Sequence, residues 1–314
     1  MTTSKVGILG GGGFGLALAR AVVRTEREVV LWSRRQVSAE GMSGVTVAKE
    51  LGELAQADLI FLSVPSVHAE SQARALGAYL DGRHLLVHVS RGLVGPELRT
   101  VSRVLREVTP ARRVGCLAGP LDARALAEGT PNGTIVGSAF PEVAEAVRAA
   151  IGGPTLRVYE TEDVIGVEVS SALVGLLALL LGFARELGIG PGALAVMMTR
   201  GMNEAERVGV SLGAEAKTFA GLAGAGDLLS AALGDDRPES KLGAALARGL
   251  SRERAGIEAG AHIEGLTIAR NVQKYAARRG IDVPITEATA DALDGNATPS
   301  DVIARLMSRR VKRE

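Results

Sequence analysis

The sequence predicts two parts: a parallel α/β layer over residues 1–160 and an all-helical part over residues 161–314. Three observations carry this reading. Short β-branched runs alternate with helix-spaced apolar residues as far as Tyr159, and beyond it strand-like runs stop. Glycine is abundant at 40 residues while only 3% of the chain is aromatic, so the cores must be built from Val, Leu, Ile and Ala with helices close to the sheet. A chain of 314 residues is also long enough for two hydrophobic cores.

The first strand is expected at 6–9, followed by a helix at 14–25 with Leu16, Ala19 and Val23 on one face. A second strand falls at 28–32. The third, 58–64 (DLIFLSV), is apolar throughout, as suits a central parallel strand covered on both faces. Pro65 ends it, and Ser66 stands where it can cap the next helix. Strands follow at 84–90, 113–118, 135–137 and 156–159, with a helix at 141–151. This alternation implies a mostly parallel sheet with right-handed crossovers. In the second part, helices are expected at 163–187, 193–208, 217–229, 242–248, 262–279 and 299–308. GIGPG (188–192) and GDDRPES (234–240) act as breakers between them.

The formal net charge is +1, which gives no electrostatic reason to expect nucleic acid or an anionic membrane as partner. The basic residues Arg305, Arg309, Arg310, Lys312 and Arg313 form a short run that reads as a solvated helix end. Cys116 is the single cysteine, so no internal disulfide can form, and its apolar neighbours mark an inert core thiol. The apolar residues after Met1 belong to the strand-and-glycine pattern rather than to a leader. The most apolar stretch, 172–184, is too short to span a bilayer. The expectation is a cytoplasmic protein without membrane insertion.

Residues 5–15 read KVGILGGGGFG, a strand running into Gly10-x-Gly12-x-x-Gly15 and then a helix. Gly10 permits the tight turn, Gly12 lets the backbone approach a pyrophosphate, and Gly15 lets helix and strand pack closely. The fold class expected is therefore an α/β Rossmann-like N-terminal domain followed by an all-α C-terminal domain, with NAD(H) or NADP(H) as ligand. After the second strand the chain carries Ser33-Arg34-Arg35 instead of an acid. Two guanidiniums there suit a 2′-phosphate, so NADP is preferred over NAD.

Further along the chain come LWSRR (31–35), VPS (64–66), AGP…EGTP (118–131), DVIGVE (163–168), TRGMNE (199–204), FAGLAGAGDL (219–228), IEGL (263–266) and VPITEA (283–288). In this order and spacing, and with the glycine loop, they resemble the NAD(P)-dependent glycerol-3-phosphate dehydrogenase family essentially from end to end. The resemblance implies a helical substrate domain, a possible homodimer, and a nominal reaction between dihydroxyacetone phosphate and sn-glycerol 3-phosphate. It also adds Glu264, in IEGL, to the cofactor-binding set Gly10, Gly12, Phe14, Gly15, Arg34, Arg35 and Pro65.

Reducing a ketone by hydride transfer leaves charge on its oxygen, so a cation or proton donor must stand within reach, and a substrate phosphate needs Arg, Lys or backbone N–H groups. Against the family pattern several of these groups have changed. The S/T-Lys-Gly segment is Ser90-Arg91-Gly92, and Arg91 can hold an oxyanion but is a poor proton donor. The Ala-Leu-Lys-Asn segment is Ala172-Leu173-Val174-Gly175, which puts a valine at the usual lysine position. Asp227 of GDL, which would orient that lysine, is retained and reads as a helix and turn organiser. The family's threonine falls at Ala231 and its Arg-Asn pair at Pro238-Glu239. Arg237 and Lys241 are the nearby substitutes for binding phosphate, while Asp235, Asp236 and Glu239 oppose it. Leu121 and Asp122 replace a hydroxyl and an aromatic. His68, His84, His88 and His262 show neither metal spacing nor an obvious carboxylate partner, so no metal is expected, although His88 and Ser90 lie near the anticipated nicotinamide.

The catalytic candidates are thus Asp227 and Arg91, with Val174, Gly175 and Pro238 expected to face the glycine loop. The expected function is dinucleotide binding without turnover of the family substrate, as a sensor, regulator or partner subunit. The alternative is an active dehydrogenase or reductase. It would act either on a different, less anionic substrate with Arg91 as electrophile, or weakly on glycerol 3-phosphate through a shifted Arg237.

Overall fold

The computed structural model describes residues 5–39, 41–234, 237–260 and 264–294. In chain order the first part runs β1 (Lys5–Leu9), α1 (Gly13–Val23), β2 (Glu28–Trp32), β3 (Val45–Val47), a 3-10 turn (Leu51–Gln56), β4 (Leu59–Leu62), α2 (Ser66–Gly77), β5 (Leu85–His88) and α3 (Val101–Val108). It continues with β6 (Arg113–Ala118), α4 (Ala123–Glu128), β7 (Asn132–Gly137), α5 (Pro141–Ile151) and β8 (Leu156–Thr161). The strands form one sheet in the order β3-β2-β1-β4-β5-β6-β7-β8, in which only the β6–β7 pair is antiparallel.

Two apolar layers cover the sheet. One face packs α1, α4 and α5 through Leu18, Val22, Leu126, Val143 and Val147. The other packs α2 and α3 through Ala69, Ala73, Leu76, Val101 and Leu105. The all-apolar β4 is buried along its whole length between them. Because the chain steps from β1 outward to β2 and then back across β1 to β4, a crevice opens at the carboxyl ends of β1 and β4, where open α/β sheets bind ligands.

The second part is helical: α6 (Val164–Glu186), α7 (Pro191–Ser211), α8 (Ala216–Phe219), a π-turn (Leu222–Gly226), α9 (Asp227–Leu233), α10 (Pro238–Ala247), α11 (Arg252–Ala259), α12 (Gly265–Arg279) and α13 (Pro284–Leu293). The helix expected at 217–229 is broken into α8, the π-turn and α9, because Gly221, Gly224 and Gly226 interrupt it. The helix expected from 242 begins at Pro238, whose fixed φ and missing N–H suit a first helical turn, so the breaker is shorter than 234–240. The 299–308 helix, the C-terminal basic run, Asp235, Asp236 and His262 lie outside the described residues.

Contrary to the expectation from 172–184, α6 extends beyond that stretch at both ends and with 23 residues is long and apolar enough to cross a membrane. Its surface is instead buried on almost every side by α7, α10 and α12.

Carboxylates cap several helix N-termini, and Glu168, Glu204 and Glu264 do so across long stretches of chain. Asp163 caps its own helix α6 at Gly166 N (2.8 Å) and also accepts from Glu215 N and Thr218 Oγ1. Glu168 on α6 accepts from Val101 N (2.6 Å), Ser102 N and Ser102 Oγ at the start of α3. Glu204 on α7 accepts from Ile285 N (2.7 Å), Thr286 N (2.9 Å) and Thr286 Oγ1 at the start of α13. Glu264 accepts from Ser66 N (2.6 Å) and Ser66 Oγ at the start of α2. Ser66 is therefore not the cap of α2: Pro65 occupies that position and the remote Glu264 does the capping.

Burial pushes the Glu204 carboxyl from its ordinary 4.5 up to about 7, against the lowering effect of the Ile285 and Thr286 donors. Between those values the folded chain holds a proton that the unfolded chain has released. The associated stability is thus fully present below pH 4.5 and is lost as pH rises toward 7. The total change is roughly 3 kcal/mol at about 1.4 kcal/mol per pH unit. Melting curves between pH 4 and 8 should show this decline, and Glu204→Gln should flatten it. An identical slope in the variant would rule Glu204 out as its origin.

Candidate active-site cleft

One cleft of about 1550 Å³ runs along the carboxyl ends of the strands and is walled on its far side by α6, α9, α10 and α11. At its sheet end lies the glycine loop. Gly10 adopts φ +118°, and a Cβ there would fall 2.1 Å from the Ser63 carbonyl, so no other residue fits. Gly12 is the N-cap of α1, has no side-chain cap, and would project a Cβ into open space. The first-turn N–H groups of α1 and the positive end of its dipole are thus presented to the cleft. Gly15 is buried, and a Cβ there would meet the Gly10 carbonyl at 1.9 Å.

Phe14, Pro65, Arg34 and Arg35 all line this cleft, the two arginines exposed just beyond β2. Glu264 lines it as well, but its carboxylate is engaged by Ser66 and presses on Gly92, where a Cβ would sit 1.4 Å from Oε2. It clasps the helical part to α2.

The other end of the cleft holds a closed charge cluster. Asp227, 1% exposed, receives Arg91 Nη1 on Oδ2 (2.5 Å) and Arg237 Nη1 on Oδ1 (2.9 Å). Arg237 also donates to the Asp227 carbonyl (3.1 Å) and, through Nε, to Glu239 (3.3 Å). Asp227 is therefore more than a turn organiser: it holds two guanidiniums. Burial would lower the Arg91 pKa, but the charges of Asp227 and Glu239 outweigh it and the net shift is upward. Two cations face two anions, leaving little net field for a phosphate dianion. Lys241 is exposed on α10 and lines the cleft.

Three expectations are corrected. Val174 does not face the glycine loop: it is fully buried against Leu177, Leu181, Met198 and Leu228, because α6 turns that side into an apolar cluster. Gly175 and Pro238 do line the cleft, and a Cβ at Gly175 would stand 3.6 Å from Glu239 Oε1. His88 does have a carboxylate neighbour, since Nε2 lies 3.1 Å from Glu168 Oε2, which helix packing brings from 80 residues away. His84 also has one, Asp81 Oδ1 at 3.1 Å from Nδ1, and both ring nitrogens meet backbone groups of Asp81 and Ala55, a structural role. His68 is exposed at the cleft. Asp122 caps α4 through Ala125 N, and Leu121 is buried.

Residues 5–51 and 42–144 match the N-terminal model, and 163–304 the C-terminal model, of NAD-dependent glycerol-3-phosphate dehydrogenase. The chain belongs to the glycerol-3-phosphate dehydrogenase family. The glycerol-3-phosphate dehydrogenase [NAD(P)+] of Polaromonas naphthalenivorans is 35% identical over 348 residues, covering 99% of each chain. That of Paracidovorax citrulli is 42% identical over 207 residues, which span 66% of this chain and 60% of that protein. The solved glycerol-3-phosphate dehydrogenase of Coxiella burnetii shares the fold, with a TM-score of 0.91 at 24% identity and coverage of 98% of this chain and 100% of that one.

Within this dehydrogenase fold, sequence reasoning missed Asp163, Glu168 and Glu204. They sit in the DVIGVE and TRGMNE motifs, and an acid embedded in an apolar helix pattern was the available signal. Their partners, up to 82 residues away, were not legible.

Proposed function

We propose that this chain binds NADP(H) or NAD(H) in the cleft and does not turn over dihydroxyacetone phosphate at a rate typical of its family. The observation that carries the second half is the state of Asp227. Its carboxylate is taken by Arg91 and Arg237, and the position the resemblance assigns to a lysine is a valine packed in an apolar cluster. A developing alkoxide at this cluster would meet guanidiniums already paired with carboxylates, and a guanidinium is a poor proton donor near neutral pH. A bound nicotinamide would supply or accept the hydride. The chain's own residues support holding it: α1 N–H groups for the pyrophosphate, Phe14 and Pro65 beside it, and Arg34 and Arg35 for a 2′-phosphate. Such a chain would act as a cofactor-dependent sensor, regulator or partner subunit in the cytoplasm.

Oxidation of NADPH or NADH by dihydroxyacetone phosphate is the test, and no turnover above background is expected. Turnover comparable to that of a relative assayed alongside would overturn the reading. The single change Val174→Lys is not expected to restore activity, because it places an ammonium among leucines and lowers the melting temperature instead. For the cofactor, NADPH is expected to bind at least tenfold tighter than NADH, with Arg34→Ala/Arg35→Ala removing the difference. Tighter NADH binding by the unmodified chain would refute the preference.

A second reading is supported by the balanced charge of the cluster: a reductase acting on a less anionic carbonyl compound. Arg91 would hold the oxyanion, and water would supply the proton.

A further inference from the structure

The molecule contains a second group of reactive side chains, separate from the charged cluster and buried from solvent. His88 on β5 and Cys116 on β6 are register partners in the parallel sheet, so their side chains leave the same face side by side. Helix α6 lays Glu168 over them. One donor atom from each residue lies within 4.8 Å of the other two, and the three are 1%, 1% and 3% exposed.

We propose that His88, Cys116 and Glu168 form a structural site for a zinc-type divalent cation at the seam between the sheet and α6. The imidazole is the first reason. His88 Nε2 is 3.1 Å from Glu168 Oε2, close enough for attraction, yet neither ring nitrogen makes an aligned hydrogen bond although the ring is buried. A buried polar atom without a partner calls for an ion or a water beside it. The donor chemistry is the second. Imidazole nitrogen, thiolate sulfur and carboxylate oxygen together are a zinc-type set of three, one short of a closed structural site, so a buried water would complete the coordination. Bonds of about 2.0–2.3 Å in tetrahedral geometry need donors roughly 3.3–3.8 Å apart. His88 Nε2 and Glu168 Oε2, at 3.1 Å, are already that close, and no pair of donors is more than 4.8 Å apart.

Burial, then the charge of Glu168, pushes the Cys116 thiol well up, so without a cation the sulfur keeps its proton. Binding would exchange that proton for the cation's S–metal bond, the proton leaving to solvent, with no electron transferred. Glu168 can accept from Val101 and Ser102 at the same time, since a carboxylate offers about four lone-pair directions. The ion would then tie β5, β6, α6 and the start of α3 at one point, stiffening the seam without entering the cleft.

The test is to unfold the full chain in EDTA, refold it with Co²⁺, remove free metal and record the absorption spectrum. One Co²⁺ per chain is expected, with a thiolate-to-cobalt band in the near ultraviolet that Zn²⁺ bleaches. Because Cys116 is the single cysteine, that band can report no other residue. Cys116→Ser should lose the band and weaken cobalt binding at least a hundredfold. If that variant does not fold, the wild-type band alone decides. Refolded wild-type protein that retains no cobalt, or retains it without the thiolate band, overturns the proposal. So does undiminished binding by Cys116→Ser. None of these outcomes bears on dinucleotide binding, which is measured separately.

Discussion

Gly12→Glu is expected to weaken NADPH binding by at least a hundredfold while leaving the melting temperature within a few degrees of the parent. The loss follows from where a side chain at this position would go. Gly12 lines the cleft and a Cβ on it meets nothing within 4 Å, so the fold has no reason to reject a side chain. The new carboxylate would stand at the free N–H groups of α1, the place a pyrophosphate has to occupy. It would satisfy those donors from within the chain and repel the incoming anion, and a hundredfold loss corresponds to about 2.7 kcal/mol. Gly10 is the wrong residue for this experiment, because any side chain there strikes the Ser63 carbonyl and the fold itself would suffer. Fluorescence titration with NADPH is the measurement. Unchanged affinity in a folded Gly12→Glu protein would place the cofactor elsewhere.

Asp227→Ala is expected to cost about 3 kcal/mol of stability, the lower end of what breaking a buried ion pair usually costs. It leaves Arg91 and Arg237 facing one another with Glu239 as the remaining nearby anion. The Arg91 side chain is 27% exposed and water can compensate it in part, whereas Arg237, at 12%, is largely shielded. The same vacancy makes an anion site. Inorganic phosphate should therefore raise the melting temperature of Asp227→Ala by several degrees more than that of the parent. Equal responses in the two proteins would show that Asp227 does not set the charge balance of the cleft. The comparison also bears on catalysis, because an aspartate that already accepts three hydrogen bonds from two arginines has little acceptor capacity left to orient another group.

Local pattern was enough for much of the framework. β2, β6 and α5 occupy the residues that alternation and apolar spacing indicate, and the glycine loop lies between β1 and α1 as its motif requires. β3 was not legible because three residues, mostly exposed, leave too short an alternation to recognise. α11 was missed because RERAGIEA presents no apolar stripe, with only Ala255 and Ala259 buried. α13 was missed because its N-terminus is completed by Glu204, whose side chain arrives from α7.

The sequence by itself determined the α/β then all-α order, the dinucleotide loop and the family, because each rests on residues adjacent in the chain whose backbone demands are local. Only the tertiary structure decided what the charged residues do. Asp227 meets Arg91 across 136 positions, Glu264 meets Ser66 across 198, and Val174 turns into the apolar cluster away from the cleft. A carboxylate carries no record in the chain of which donor will satisfy it. That choice is made when helices pack and every buried charge must find a partner.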